Sequence, residues 1–457
     1  MKFTSLSLLT LMLLATVSAL PAASPKDLAR RNIPLKPSED SFYSNPAGFE
    51  SAAPGTILKN RDLPSTIATL GLIPANIKYT QQILYRTTNA LGDPAAGVAT
   101  ILIPYNADYT KLLSYQIAED AASINCSPSY ALQFASDSGG FAGTIVTQLE
   151  WLIIQGTLEQ GWPVVLPDHL GLNGTFLANY ASGKHVLDAV RATLASQSFS
   201  GIDPDAKVAL WGYSGGSLAS AAAAELRDTY APELDNIVAT VLGGPVPDIE
   251  NAVKVLNKGI FAGLIPNGVL GLANAYPAFA PIIQEHLLPS KKAEFNTAYD
   301  TCLGASALRF ILHDLFAYFD DFDALLAMEE IQTVLTANDL GHAIPTIPIY
   351  MYKSILDEID GIGYTDKLYK TYCNGGAKVK YVRDLISEHG TLAAFGAPKA
   401  LTFLAKAFRG ETVVTKCTKT NTLSSLLDIS TATIVPDFLK DTILDLLYKP
   451  VGPFLIG

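Results

Sequence analysis

The stretch that decides the fold is KVALWGYSGGSLASAAAAEL, residues 207–226. Its first five residues form a short apolar run of the kind that makes a strand buried on both faces. From Ser217 to Leu226 the alanine-rich composition predicts a helix. Between them lies Gly212-Tyr213-Ser214-Gly215-Gly216, a G-x-S-x-G at a strand-to-helix turn. The placement matters more than the pattern, because glycine and serine are common and the bare motif recurs by chance. A tight turn there presents the Ser214 hydroxyl at a helix N-terminus, and glycines at 212 and 216 remove side chains that would strike the neighbouring strand and helix. The backbone N–H of Gly215 can then face the oxyanion that develops when the hydroxyl attacks an ester carbonyl. A bystander serine in a glycine-rich turn is the plain alternative.

Outward from this elbow, β-branched runs alternate with helical patterns, which points to an α/β protein with a mostly parallel sheet flanked by helices. Candidate strands are 98–103, 112–117, 163–166, 207–211, 237–242, 347–352 and 378–382. Between them, Val186, Leu187, Val190 and Leu194 recur at helical spacing within 184–197 and form one apolar face. From Gly259 to Gln284 there is no charged residue, a run long enough to raise the question of a membrane span. Pro266, Pro277, Asn267, Asn274 and four glycines interrupt it, so a buried helical core or a mobile apolar cover over a greasy site remains. The helical pattern continues to about Asn338, with Asp314, Asp320, Asp321 and Asp323 read as a solvated face.

A serine hydroxyl needs a base to take its proton, and behind such an elbow the chain order runs Ser, acid, His. Four histidines follow Ser214: His286, His313, His342 and His389. The first two lie on helical patterns, and His342 precedes every plausible acid-bearing turn. His389 remains, in a loop after strand 378–382 and before a helix expected to begin near Leu392. The acid that orients the imidazole should follow strand 347–352, where Asp357, Glu358 and Asp360 compete, the two losers being expected in solvent. A second oxyanion donor should follow strand 112–117, at Ala118-Glu119-Asp120. A carboxylate there would repel an oxyanion, so Asp120 helps only through its backbone N–H or as a neutral acid.

At the N-terminus, Lys2 precedes an apolar run from Leu6 to Val17 with small residues before Leu20, the pattern of a secretory signal peptide over 1–19. A loose segment spans 20–40. Arg30-Arg31 within it could close a pro-segment ending at 31, or be an ordinary charged pair. Cys126, Cys302, Cys373 and Cys417 suggest two disulfides in a secreted, extracellular chain, with three pairings open. Asn125 and Asn173 head glycosylation sequons. Apolar residues make up 49% of the 457 and charged residues 16%, which excludes disorder. The formal charge of −11 and the lack of basic runs argue against nucleic acid and against a polybasic membrane binder. No CxxC or HExxH spacing supports a metal, and no cofactor is expected.

These motifs together resemble the fungal secretory lipase family, similar to yeast (Candida-type) lipase A. The resemblance runs from about Ser41 to Gly410. It rests on Tyr85-Arg86-Thr87-Thr88-Asn89, Ser114-Tyr115-Gln116 with Glu119-Asp120 and Cys126, the 212–216 elbow, Tyr230-Ala231-Pro232-Glu233-Leu234, the 259–263 segment, Asp357-Glu358-Ile359 and Glu388-His389. It implies an α/β-hydrolase fold: a core over 41–244 and 339–419, an inserted helical lid over 245–338 and a C-terminal flap over 420–457. It further implies Ser214, Asp357 and His389 as catalytic triad, Asp120 and Gly215 as oxyanion hole, and disulfides pairing Cys126 with Cys302 and Cys373 with Cys417. The implied activity is hydrolysis of triacylglycerols at a lipid–water interface, without stable membrane insertion. A carboxylesterase or deacetylase of small metabolites is the alternative on the same triad, and a non-catalytic ligand binder the remaining one. The family usually carries Val-Pro where this chain has Asp360-Gly361. The flap also departs from it, with apolar positions at Phe438, Leu439, Ile443, Leu446 and Leu447.

Overall fold

The computed structural model describes residues 33–140, 142–425, 441 and 449–453. The expected signal peptide, the Arg30-Arg31 pair and the flap's five apolar positions lie outside the described residues. Within them, a ten-stranded sheet is built from β1 (Ile57–Asp62), β2 (Tyr79–Thr88), β3 (Pro94–Ile103), β4 (Lys111–Gln116), β5 (Val164–Pro167), β6 (Lys207–Tyr213), β7 (Ile237–Gly243), β8 (Ile349–Ser354), β9 (Val379–Asp384) and β10 (Thr418–Thr422). The spatial order is β1-β2-β3-β5-β4-β6-β7-β8-β9-β10. The pairs β1/β2, β2/β3 and β3/β5 are antiparallel and the others parallel. Each of the seven runs read as strands from the sequence overlaps one of these, with ends displaced by a few residues.

The central parallel strands β6, β7 and β8 are buried on both faces, as their continuous apolar composition requires. Helices α1 (Ile145–Leu158), α2 (Asn179–Leu194), α3 (Gly215–Tyr230), α11 (Ile362–Asn374) and α12 (His389–Phe408) cover them. On one face, Val186 and Val190 of α2 and Ala219 and Ala223 of α3 pack on Ile83, Ile101, Val165 and Val208. On the other, Trp151 and Ile154 of α1 and Leu401 and Leu404 of α12 pack on Leu113, Tyr115 and Trp211. Burial of each such Leu, Ile or Val stabilises the fold by roughly 1.5–3 kcal/mol.

Three strands escape the sequence pattern. β1 and β10 are edge strands rich in Lys, Asn, Arg and Thr, β1 mostly half-buried and β10 exposed along most of its length, the composition that keeps a sheet edge from recruiting another chain. β2 is buried yet carries Gln82 and Arg86, which find partners within the fold: Gln82 Nε2 donates to Ser129 O at 2.7 Å and Arg86 Nη1 to Thr87 O at 2.6 Å, while Arg86 Nε is left without one. Because β10 pairs with β9 through Thr422, the sheet runs past residue 419, and the boundary expected there cuts a strand.

Between β7 and β8 the chain is helical: α4 (Ile249–Leu256), α5 (Leu264–Ala275), α6 (Phe279–His286), α7 (Pro289–Phe295), α8 (Leu303–Arg309), α9 (Phe322–Leu326) and α10 (Glu329–Asn338). These helices share a core of their own, with Leu256, Ile265, Leu270, Phe279, Phe310 and Leu335 among its buried members. The uncharged run is α5 and the start of α6, and α5 is largely buried. Asp314 and Asp320 stay at the surface, paired with Lys258 and His286.

Both disulfides form as the resemblance implied, Cys126 with Cys302 and Cys373 with Cys417. The second joins partners 44 residues apart and fastens the polar β10 edge. Loop-closure entropy for a ring of that size is worth about 4 kcal/mol. The Cys373→Ser/Cys417→Ser double variant should therefore lose on the order of 3–4 kcal/mol in urea unfolding; a loss under about 1 kcal/mol would show that the crosslink constrains little.

Candidate active site

The sheet sets the elbow's position. Gln116 at the end of β4 and Gly243 at the end of β7 flank Gly212 and Tyr213 of β6. Ser214, one residue on, has φ 51° and ψ −123°, a strained conformation for a residue with a Cβ. Its N–H donates to Gly243 O at 2.8 Å. The glycines are required by contact: a Cβ on Gly212 would sit 2.0 Å from Gly216 O, one on Gly216 would sit 1.9 Å from Gln116 O, and one on Gly215 would sit 1.8 Å from Asp120 Oδ1. The sequence explained the first two; the third shows that Gly215 leaves room for the Asp120 carboxyl.

His389 Nε2 lies 2.9 Å from Ser214 Oγ, and Nδ1 lies 2.6 Å from Asp357 Oδ2. A carboxylate can only accept, so Nδ1 carries the proton and Nε2 is free to accept from the serine. The ring is further held by its backbone. His389 N donates to Glu358 Oε2 at 2.8 Å, and Tyr213 Oη donates to His389 O at 2.5 Å. His389 is the first residue of α12, not part of a loop ending near Leu392. Glu388 and Thr391 form a reciprocal capping box that starts the helix three residues earlier.

Asp357 accepts from Ile359 N and Asp360 N, each at 3.0 Å, through Oδ1. Its Oδ2 meets both His389 and the Lys353 ammonium, the latter at 3.0 Å. Burial pushes this carboxyl up, but the charges of His389 and Lys353 and these hydrogen bonds outweigh it and hold Asp357 well below the usual carboxylate range. The two competing acids are not in solvent as expected. Glu358 is half-buried on His389 N, and Asp360 is fully buried, with Oδ1 accepting from Asn251 Nδ2 at 2.7 Å. The loop folds back under the inserted segment, and Asn251 of α4 draws Asp360 inward. Burial pushes Asp360 up to about 7, with Lys353 and Asn251 partly opposing.

Asp120 also has positive φ, 44°, and a buried carboxyl whose Oδ1 has no hydrogen-bond partner. Burial pushes it up to about 7, against a smaller opposing pull from His389. Below neutrality it is therefore a neutral acid, the form in which it could donate to an oxyanion. The loop that holds it is braced from beneath. Glu150 of α1 accepts from Ala118 N and Tyr115 Oη, each at 2.8 Å, and Asn267 Nδ2 of α5 donates to Asp120 O at 2.8 Å. The contacts of Glu150, Asn267 and Lys353 to the site went unread in the sequence, since a lone polar residue in an apolar helix or strand carries no local signal of its partner.

Ser214, Gly215 and Asp120 open into a pocket between the sheet edge and the inserted helices. Its other lining side chains are apolar, including Phe176, Leu218, Ile249, Leu264, Phe279 and Leu335. Among the described residues no group of three His, Cys, Asp or Glu could hold a metal, and no helix is long and apolar enough to cross a membrane. Asn173 is exposed at its turn; Asn125 is half-buried, with Oδ1 accepting from Ser38 N at 3.0 Å.

Sheet order, strand-to-helix elbow and inserted helices define an α/β-hydrolase fold. The secretory lipase family pattern matches residues 132–416, and the chain belongs to that family. Lipase A of Arthroderma benhamiae is 45% identical over 427 residues, covering 93% of this chain and 91% of its own. The structure of Candida antarctica lipase A superposes with a TM-score of 0.80 at 30% identity, covering 93% of this chain and all of that one. A Mycobacterium tuberculosis relative named as a probable inactive lipase is 39% identical over 390 residues, covering 84% of this chain and 85% of its own. Family membership alone therefore does not decide activity; the site does.

Asp360 gives a test by pH. Its unfolded-state pKa is about 3.9, so between roughly pH 4 and 7 the native carboxyl keeps a proton that the unfolded chain has lost, and its contribution to stability falls as pH rises. Asp360→Asn removes that loss. In urea unfolding the variant should gain on wild type by on the order of 2 kcal/mol from pH 5 to pH 8, and a pH-independent difference would place Asp360 as an ordinary surface-like acid.

Proposed function

We propose that the chain is a secreted carboxylic ester hydrolase acting through an acyl-serine intermediate, with long-chain acylglycerols as substrates. The observation that carries this is the hydrogen-bonded run Ser214–His389–Asp357 opening into a pocket whose polar lining side chains, among the described residues, are Ser214 and Asp120. Ser214 is the nucleophile and His389 takes its proton. Asp357 fixes the imidazole tautomer and stabilises the imidazolium that forms. The tetrahedral oxyanion receives Gly215 N–H and a donor from Asp120, either its backbone N–H or its neutral carboxyl. His389 then returns the proton to the leaving alcohol, and a water activated by the same imidazole releases the acid.

A pocket wall this extensively apolar supports a fatty acyl chain over an acetyl group, because a small polar ester would leave most of the wall without a partner. The helices of 245–338 supply much of that wall and are the proposed lid. Family membership and the two disulfides support secretion. Exposed Asn173 is then the better placed of the two glycan acceptors.

Ser214→Ala and His389→Ala should each lower turnover by roughly 10⁴-fold or more with the fold retained, and Asp357→Asn should be nearly as severe, as for triad members acting as a unit. Near-normal turnover in either alanine variant would refute the assignment. The substrate class is tested by initial rates on a moderately long-chain ester across its solubility limit. A jump at the limit is expected of a lipase whose lid opens at an interface; smooth saturation below it would favour the small-ester reading.

A further inference from the structure

Lys353 is the penultimate residue of β8, and its side chain has no solvent exposure. An isolated ammonium in such a place costs several kcal/mol in lost hydration. Its Nζ contacts Asp357 Oδ2 at 3.0 Å and donates to Pro245 O at 2.9 Å, at the first residue of the inserted segment. Oδ2 is the same oxygen that receives His389 Nδ1 at 2.6 Å. One carboxylate oxygen therefore serves two cationic partners whenever the imidazole is protonated, and an unshared carboxylate would stabilise the imidazolium more. On the reading that Ser214, His389 and Asp357 form the catalytic relay, we propose that Lys353 is a positioning residue of it: by sharing Asp357 Oδ2 its ammonium keeps the imidazole available as a base at more acid pH.

The neighbouring charges are consistent with this. The acid loop contributes Asp357, Asp360 and Glu358, and α4 contributes its N-cap Asp248. Asp120 faces the imidazole from the oxyanion side. Tyr213 of β6 and Tyr381 of β9 also feel Asp357, and burial keeps both phenols neutral. Glu358 is spent on the backbone N–H of His389, and Asp360 on Asn251. Among the described residues, the direct ion pair of Lys353 is with Asp357. Because its second bond goes to Pro245 O, the ammonium also ties the acid of the relay to the root of the inserted helices. A merely structural lysine at this spot could be replaced by an apolar residue with little effect on how rate depends on pH.

The test is the pH profile of kcat/KM on a short-chain ester kept below its solubility limit, for wild type, Lys353→Met, Lys353→Gln and Lys353→Arg. Rates are taken per active site titrated with a serine-directed phosphonate. Loss of the positive charge should move the acid limb of the profile upward by about one pH unit in both neutral variants, a roughly tenfold lower rate on that limb with a smaller change on the plateau. The charge-keeping Arg variant should leave the limb near its wild-type position. An unmoved limb in a titratable Met or Gln variant would overturn the proposal. So would failure of both to yield titratable enzyme while Arg succeeds, which would assign Lys353 to folding alone. Ser214→Ala run alongside separates the two readings: if it stays active the relay itself is wrong, and if it is dead while the limb is unmoved only the role of Lys353 falls.

Discussion

A carboxylate taken out of water must be given donors in return, and Asp357 is the place where this fold meets that demand. Its two oxygens collect two backbone N–H groups of its own loop, the imidazole of His389 and the ammonium of Lys353. Each partner comes from a different part of the scaffold: the turn after β8, the first residue of α12, and the interior of β8. Their convergence requires β8 and β9 to end at the same level, which the in-register pairing of Ser354 with Asp384 provides. The serine is set by the other side of the sheet, at the level of Gln116 and Gly243. The hydrogen-bonded run Ser214–His389–Asp357 is thus a consequence of parallel strands terminating together, with helices entering or leaving at the same edge.

The elbow was legible because its physics is local: a strand, a turn that only glycines permit, and a helix, all within twenty residues. The histidine was legible through chain order, although its helix began sooner than the apolar pattern suggested, since Glu388 and Thr391 cap one another in a way periodicity does not register. The acid was not legible from the residues. Three carboxylates within four positions differ only in what they meet across the fold, and all three prove to be engaged. The resemblance chose Asp357, and the geometry joins that residue to His389. The edge strands were missed for the opposite reason, since β10 is polar and exists because β9 offers it a partner.

The interior behind the elbow holds an uncommon number of acids. Glu119, Asp120, Glu150 and Asp168 are all buried between β4, α1 and the segment after β5, and burial pushes each of them up. Ser129 and the Ala118 and Tyr115 donors stabilise their charged forms only in part. The native state therefore prefers to hold protons that an unfolded chain would release below neutrality, so this half of the molecule is most at ease on the acid side. The same environment that would let Asp120 face an oxyanion without repelling it also sets that preference.

The Cys126–Cys302 bond has a mechanical consequence. Cys302 lies midway along the inserted helices and Cys126 just beyond the loop that bears Asp120, so the insertion is pinned to the core far from both its ends. Asn267 and Asn274 add two further attachments from α5, to the carbonyls of Asp120 and Ala122. At its start Pro245 is held by Lys353, and at its close Asn338 O accepts from Asn179. Fastened at these points, the insertion is restrained against turning as one rigid body. On the proposed reading of the insertion as a lid, movement admitting a large substrate would fall mainly in the spans between these attachments, 276–301 and 305–337, with α5 seated against the loop that bears Asp120.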